Sequence, residues 1–374
     1  MLKIKVIDIL FVTIVLSMVI AGFSPFQWQG RLEVWSYLFS AGLICFVVCV
    51  SYSTPVIRPH QFSLFLSLIF FFVLSSLRTG QLKPLFFLIF LLFFFARKGF
   101  RSNDSTVVMK VVILTGFTLC LVLLFFDSRF SMGEQQRFVG FSISPTVFAV
   151  TIQGLMILGL MVFRSKVVRI LLVFISLLFV GLSKTRLNFL LFLFIPLISF
   201  VERRSTRFRF FALIMFLVVL ALVYPIYDHL LNTDFFSQII GTRYSDGRDA
   251  SFGLRNALFL QGLNIFTEGS FFELLLGNGA EYSRLAIMEK YGRDLKLHND
   301  LLVLVIDYGI LFSTMFIVLF ARLGSKNPYS FLAVMLYFIS FYHNMVLSLF
   351  LLIIIYLSAQ LDVSTTKDHD ILVA

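Results

Sequence analysis

Long apolar runs separated by short charged turns recur along the chain. They fall at 6–24, 32–50, 61–77, 82–96, 110–126, 144–163, 168–183, 187–201, 210–227, 299–321, 329–342 and 345–359. An α-helix rises about 1.5 Å per residue and needs roughly 17–25 residues to cross a hydrocarbon layer about 30 Å thick. The pattern predicts an all-α polytopic membrane protein of about twelve (10–12) transmembrane helices, a single domain over 1–374. The range reflects the short runs 82–96, 187–201 and 329–342, which tilt, extend or re-enter if they do not span. The first run follows Lys3 and Lys5, but it is long, lacks a small-x-small cleavage site and precedes more such runs. It is read as a membrane helix rather than a signal peptide.

One stretch interrupts the series. Residues 228–297 are polar and carry 7 Lys and Arg against 9 Asp and Glu. The segment GTRYSDGRDASFG has the glycines and Asp/Ser turn formers of a loop. In 254–275, Leu254, Leu258, Leu263 and Phe266 recur at helical spacing, which predicts an amphipathic helix lying at the membrane surface. Gly277-Asn278-Gly279 then predicts a tight turn. Charge assigns the sides. With the N-terminus in the cytoplasm, 17 Lys and Arg fall on the cytoplasmic side and 7 in the short outer loops. Positive charge collects on the cytoplasmic side of membrane proteins, so both termini are inside and the long loop is outside.

Composition strengthens this picture. Hydrophobic residues make up 59% of the chain, charged residues 14%, and 49 positions are Phe, for a mean hydropathy of +0.96. A soluble domain carries about 25% charged residues to coat its surface. Soluble enzymes, secreted disulfide scaffolds and disordered chains are thereby excluded. The net charge of +11 is read as positive loops, with no nucleic-acid partner. Cys45, Cys49 and Cys120 lie inside apolar runs and form no metal or disulfide spacing. No repeat suggests the inverted halves of a transporter, and the Phe tracts carry no chemistry.

Candidate chemistry sits where ionisable groups meet membrane depth, since such groups are costly there. Lys184-Thr185-Arg186 lies between the seventh and eighth runs, where snorkelling helix-end cations are the plain alternative. Arg255 stands near the start of the loop helix, where a solvated arginine is the plain alternative; Arg243 and Arg248 sit in a flexible turn and weigh less. His298 lies where the long loop re-enters the membrane, and His is suited to proton exchange near neutral pH. An interfacial His capped by Asn299 or Asp300 competes with that reading. Asp307 lies about two turns into the following helix, seven residues from Asp300 and so on the same face; pairing inside the bundle explains it equally well. Asp8 reads as structural, and His343-Asn344 marks a second polar spot at another outer turn.

These residues carry a resemblance. His298-Asn299, followed by Leu302, Asp307, Gly309 and Ile310, is similar to the signature of the O-antigen polymerase and ligase superfamily, with Asp307 where many relatives have Glu. Leu182-Ser183-Lys184-Thr185-Arg186 resembles the family's Ser-x-x-Arg element, and Arg255 with the Gly277–Gly279 turn resembles its loop arginine. The resemblance covers roughly residues 170–320. It implies a glycosyltransferase C-like fold in the bacterial inner membrane, acting at the periplasmic face on undecaprenyl-diphosphate-linked sugars. Donor and acceptor would both be lipid-linked oligosaccharide repeat units, with membrane lipid around the protein and a chain-length regulator as a partner by family analogy. Arg186 and Arg255 would hold the donor diphosphate, because a planar guanidinium meets phosphate oxygens in two places and stays charged. His298 would hold the acceptor hydroxyl and take its proton, with Asn299 or Asp300 orienting the imidazole and Asp307 in a supporting place. The outer loops show no DxD-like metal site, so the expected enzyme uses no metal and no cofactor.

Two other functions share parts of the pattern. A ligase of the same superfamily would pass finished glycan to a lipopolysaccharide core with the same His and Arg residues. A flippase or transporter of twelve spans is the reading from another class; the long outer loop and the gathering of His and Arg on one face stand against it.

Overall fold

The computed structural model describes residues 59–80, 104–125, 129–132, 135–140, 142, 144–231, 250–293, 295–297, 299–343, 345–346 and 348–360. The runs 6–24, 32–50 and 82–96 lie outside these residues. The described chain is mostly helical. Its helices are α1 (Pro59–Thr79), α2 (Asp104–Leu123), α3 (Pro145–Val162), α4 (Lys166–Ser183), α5 (Phe189–Phe194), α6 (Ile198–Glu202) and α7 (Thr206–Leu231). They continue with α8 (Ala250–Glu268), α9 (Phe271–Leu276), α10 (Tyr282–Tyr291), α11 (Asp300–Gly324), α12 (Pro328–Ser340) and α13 (Leu349–Gln360). Two 3₁₀ turns, Arg186–Asn188 and Phe341–His343, connect helices at their ends. The fold is not purely helical: β1 (Arg129–Met132) and β2 (Gln135–Phe138) form an antiparallel hairpin with Arg129 opposite Phe138.

Among the described residues, three helices, α3, α4 and α11, are long and apolar enough to cross a membrane. The surface of α4 supports that reading. Leu172, Ser176, Phe179, Val180 and Ser183 form its buried stripe, while Val167, Ile170 and Phe174 on the other side are 74%, 69% and 63% exposed. Water would penalise such a face by roughly 25 cal/mol for each Å², whereas lipid does not. The centre of the bundle is α3 and α12, apolar all round and buried almost throughout, as expected for helices enclosed on every side. Both start cleanly. Ser144 caps α3 by accepting from Val147 N at 3.2 Å, ahead of Pro145. Asn327 and Ser330 form a capping box on α12, ahead of Pro328. Along α11 an aromatic row runs at i,i+4 spacing through Tyr308, Phe312, Phe316 and Phe320, and Tyr337 of α12 stacks on its end with centroids 4.6 Å from Phe320.

Several predicted elements are redrawn. The apolar run 187–201 is not one helix: it breaks between α5 and α6 around Pro196, whose ring cannot sit inside a helix. The run 210–227 extends to α7, so the polar stretch begins with residues 228–231 still helical. The single surface helix over 254–275 is two helices, α8 and α9. They part at Gly269-Ser270, where Ser270 and Glu273 form a capping box. The Ser270 backbone N–H, and then its hydroxyl, hold the Glu273 carboxyl below its ordinary range. The apolar face of α8 packs on α11, where its Leu258 meets Leu297, Leu302 and Ile306. Residues 282–291, left without an element by the sequence pattern, form α10.

The tenth run is broken as well. At Gly309 the backbone turns to φ 85°, ψ 164°, dividing α11 into two helical pieces. The turn after α9 fills the break. Asn278 N and Nδ2 donate to Ile306 O at 2.9 and 3.2 Å, and Gly279 N donates to Asp307 O at 2.9 Å. These are carbonyls whose helical partners the break removes, and an unsatisfied carbonyl in a membrane costs several kcal/mol by rough estimate. The approach is close enough that a Cβ on Gly277 would strike the Asp307 and Tyr308 backbone, and one on Gly309 the Leu275 and Gly277 backbone.

Hydrogen bonds sort the helix ends into two groups. At one end Arg209 is buried and ties α6, α7 and α11 together: Nη1 donates to Arg204 O at 2.8 Å, Nε to Ser325 O at 2.8 Å and Nη2 to Lys326 O at 3.2 Å. Its charge faces carbonyls at helix C-termini, where the macrodipole is negative. Asn327 Nδ2, at the same end, donates to Ser358 O at 2.7 Å. The opposite end holds the candidate site.

Candidate functional site

The opposite end begins with the C-terminus of α4. Lys184 caps it in the left-handed conformation, φ 53°. Buried Arg137 of β2 reaches over it, donating from Nε to Ser183 O at 2.8 Å and from Nη2 to Lys184 O at 3.2 Å. The hairpin thereby places a cation on a helix C-terminus. Thr185 follows, buried, with its hydroxyl 2.7 Å from that of Ser183. The 3₁₀ turn Arg186–Asn188 comes next, so Arg186 heads the turn; its side chain lies outside the described part of the structure.

Asn188 closes that turn and is fully buried. Its Nδ2 donates to Gln153 Oε1 at 2.7 Å, and Gln153 Nε2 donates back to Asn188 O at 2.7 Å. Gln153 comes from the middle of α3 and is also fully buried. Asn188 Oδ1 lies 2.9 Å from His343 Nε2 in the other 3₁₀ turn. Three residues on, Val346 N donates to Asp300 Oδ2 at 2.7 Å, while Tyr337 Oη donates to Val346 O. Asp300 is the first residue of α11 and is buried. Two hydrogen-bonded links therefore join the turn bearing Arg186, the turn bearing His343 and the start of α11.

The predicted site residues fare differently. His298 lies outside the described residues. Arg255 falls within α8, one turn before Leu258, and its side chain is likewise outside the described part. Asn299 Oδ1 accepts from Leu301 N at 3.1 Å and Leu302 N at 3.2 Å, so it is the N-cap of α11. Asp300 reaches Val346. Asp307 goes elsewhere: Oδ2 accepts from Glu281 N at 3.0 Å and Oδ1 from Ser283 N at 2.8 Å. Although seven residues apart, the two aspartates bind different neighbours. Asp307 does for α10 what its own cap residue Glu281 does not, since Glu281 makes no side-chain cap bond. Instead the Glu281 carboxylate pairs with Arg284 at 2.7 Å. From α1, Arg78 Nη1 donates to Gly277 O and Ser75 O accepts from Ala280 N at 3.2 Å, fastening the same turn.

The sequence pattern marks His343 only as a polar spot at an outer turn and does not single out Gln153 or Asn188. The available signal was a lone Gln in an apolar run and a lone His at a helix end, each costly at membrane depth. Among the described residues, no three His, Cys, Asp or Glu side chains gather where a metal ion would be held. No family model, curated protein or solved structure matches the chain.

Proposed function

We propose that the chain is an inner-membrane glycosyltransferase of the O-antigen polymerase kind, with about twelve spans, both termini in the cytoplasm and the His343 end facing the periplasm. It joins undecaprenyl-diphosphate-linked repeat units, one as donor and one as acceptor. The observation that carries this reading is the convergence of the Arg186 turn with the start of α11, the segment that directly follows His298, through Asn188–His343 and Asp300–Val346. In sequence these parts are more than a hundred residues apart. The resemblance assigns one to the diphosphate and the other to the acceptor hydroxyl, and transfer between two lipid-held sugars needs both within reach of one bond.

The chemistry is a displacement at the anomeric carbon. The acceptor oxygen forms a bond to that carbon, its proton passes to His298, and the carbon–oxygen bond to diphosphate breaks with its electron pair on the departing diphosphate. Arg186 and Arg255 meet the charge that develops there, the kind of fixed stabilisation that is largest in a site closed to water. A positioned base contributes typically 10²–10⁴-fold. Asn299, Asp300 and Asp307 serve this site by fixing the start and the break of α11.

The test is a lipopolysaccharide gel of a strain lacking the protein, complemented with wild type or with His298→Ala. A ladder that collapses to core plus one repeat, restored by wild type and not by well-expressed His298→Ala, is expected. Bare core with polymer left on the carrier lipid would replace the polymerase by a ligase. Bare core without that polymer would point to a flippase, and an unchanged ladder would refute an O-antigen role.

A further inference from the structure

The end of the bundle opposite the candidate site gathers positive charge into one turn. Between α6 and α7 the chain reads Glu202-Arg203-Arg204-Ser205-Thr206-Arg207-Phe208-Arg209, four arginines against one carboxylate. Arg209 is buried and spends its donors on the carbonyls of Val201, Glu202, Arg204, Ser325 and Lys326. Arg203, Arg204 and Arg207 are exposed, and no ion pair within the described residues joins them to Glu202 or to another carboxylate. Like charges this close in the chain repel one another, so the turn favours an anion beside it. Arg204 is already held for one. Its guanidinium lies 4.2 Å from the Phe200 ring centroid and 5.6 Å from that of Phe208, and the two rings meet edge to face at 6.0 Å. Ring contact fixes a guanidinium without using its N–H donors, which stay available to phosphate oxygens.

What adjoins the charge decides which anion fits. Along α7, Leu213, Leu217 and Leu220 are buried on the side of Arg209, while Phe208, Phe211, Met215, Val218 and Leu222 are exposed on the other side. Arg207 heads that outward side, one turn before Phe211. From Phe208 to Leu222 the stripe rises about 21 Å, more than the about 15 Å that one leaflet adds to the hydrocarbon layer. The cations stop where the apolar stripe starts, so the matching ligand joins a negative head to a long apolar tail. A free phosphate would leave the stripe unmatched. We infer that the 203–207 turn binds an anionic phospholipid of the leaflet at the Arg209 end. The headgroup phosphate sits on Arg203, Arg204 and Arg207, and an acyl chain runs along α7. This lipid is not the diphosphate-linked donor, whose proposed site is at the other end of the bundle, and the inference stands without the glycosyl-transfer reading. Because Arg209 Nη1 donates to Arg204 O, the bound headgroup braces the same turn that ties α6, α7 and α11 together.

The experiment titrates the purified full chain in detergent with short-chain phosphatidylglycerol, with phosphatidylcholine of the same chain length and with inorganic phosphate. Calorimetry reads binding. Wild type is compared with the triple variant Arg203→Gln, Arg204→Gln, Arg207→Gln and with the double variant Arg164→Gln, Lys166→Gln. The second pair is exposed at the start of α4, whose other end carries Lys184 beside the candidate site, and it makes no ring contact. Each Arg near an anionic headgroup layer contributes about fivefold. The triple variant should therefore bind phosphatidylglycerol about a hundredfold more weakly than wild type, with phosphatidylcholine binding unchanged and the double variant at wild-type affinity. Unchanged affinity in the triple variant would overturn the inference, and so would equal losses in both variants, which would mean general surface charge. Inorganic phosphate bound as tightly as phosphatidylglycerol would leave an anion site without a lipid. A dimer in lipid-free detergent that Met215→Asn dissociates would give the stripe to a second copy; either result overturns the inference. Should the triple variant not fold, hydrogen exchange of the wild type decides. Amides of 199–211 should exchange more slowly with phosphatidylglycerol than with phosphatidylcholine, and equal exchange overturns the inference.

Discussion

Replacing Gly309 by Ala tests whether the break in α11 is built by the turn that enters it. The backbone there has φ 85° and ψ 164°, a region open almost only to glycine, and strain of this kind costs about 1–3 kcal/mol. The added Cβ would also meet the Leu275 carbonyl and Gly277 N, which are backbone atoms without rotamers to escape into. Relief requires moving the 275–281 segment. That lengthens Asn278 N→Ile306 O and Gly279 N→Asp307 O at 2.9 Å and Glu281 N→Asp307 Oδ2 at 3.0 Å. Each such bond contributes about 0.5–1.5 kcal/mol net, more where a carboxylate accepts. Strain and loosened bonds together come to about 3–6 kcal/mol, a large share of the 5–15 kcal/mol typical of a whole domain. The control is Gly292→Ala. Gly292 also has a positive φ, 62°, but nothing lies within 4 Å of its Cβ position, so it carries only backbone strain, about 1 kcal/mol. Thermal unfolding in detergent, with limited proteolysis across 270–297, should show Gly309→Ala melting several degrees below Gly292→Ala and cut faster in the loop. Equal melting points and equal cleavage would refute the interlock.

Arg209→Met should lower thermal stability by about 3–5 kcal/mol, the range for removing one partner from a buried charged cluster, because the Arg204, Ser325 and Lys326 carbonyls lose their donor together; denaturant titration in mixed micelles reads it. Asp300→Asn should cost about 1.5–3 kcal/mol if its amide nitrogen comes to face Val346 N, and hydrogen exchange at Val346 should rise by tenfold or more. For Glu273, the folded carboxyl titrates below its unfolded value. Its cap on α9 is therefore present above the ordinary carboxylate range and lost as pH falls through the lowered value. Exchange protection of 271–276, corrected for intrinsic rate, should drop between pH 5 and pH 3 in wild type and stay level in Glu273→Gln.

What the sequence made legible was local. The runs 144–163 and 168–183 coincide with α3 and α4 because serine caps and basic turns bound them. Asn299 caps α11 through amides only two and three residues along the chain, although its sequence reading places it only against His298. The break at Gly309 was hidden inside an apolar run, since the donors that make it tolerable come from a turn some thirty residues earlier. The same distance problem concealed the polar chain. Gln153, Asn188 and His343 are separated by 35 and 155 residues, so each looked like an isolated polar residue, and only their meeting explains why none carries a desolvation penalty alone. The two aspartates show the limit of periodicity: a shared helix face sets a direction, not a partner.

The interlock at Gly309 also has a history in time. Residues 277–279 leave the ribosome before Gly309 does, so the turn has no helix to enter when it is made. The carbonyls of Ile306 and Asp307 take their donors from Asn278 and Gly279, and lipid would offer none in their place. The bend in 300–324 and the docking of the turn are therefore coupled, since neither is satisfied without the other.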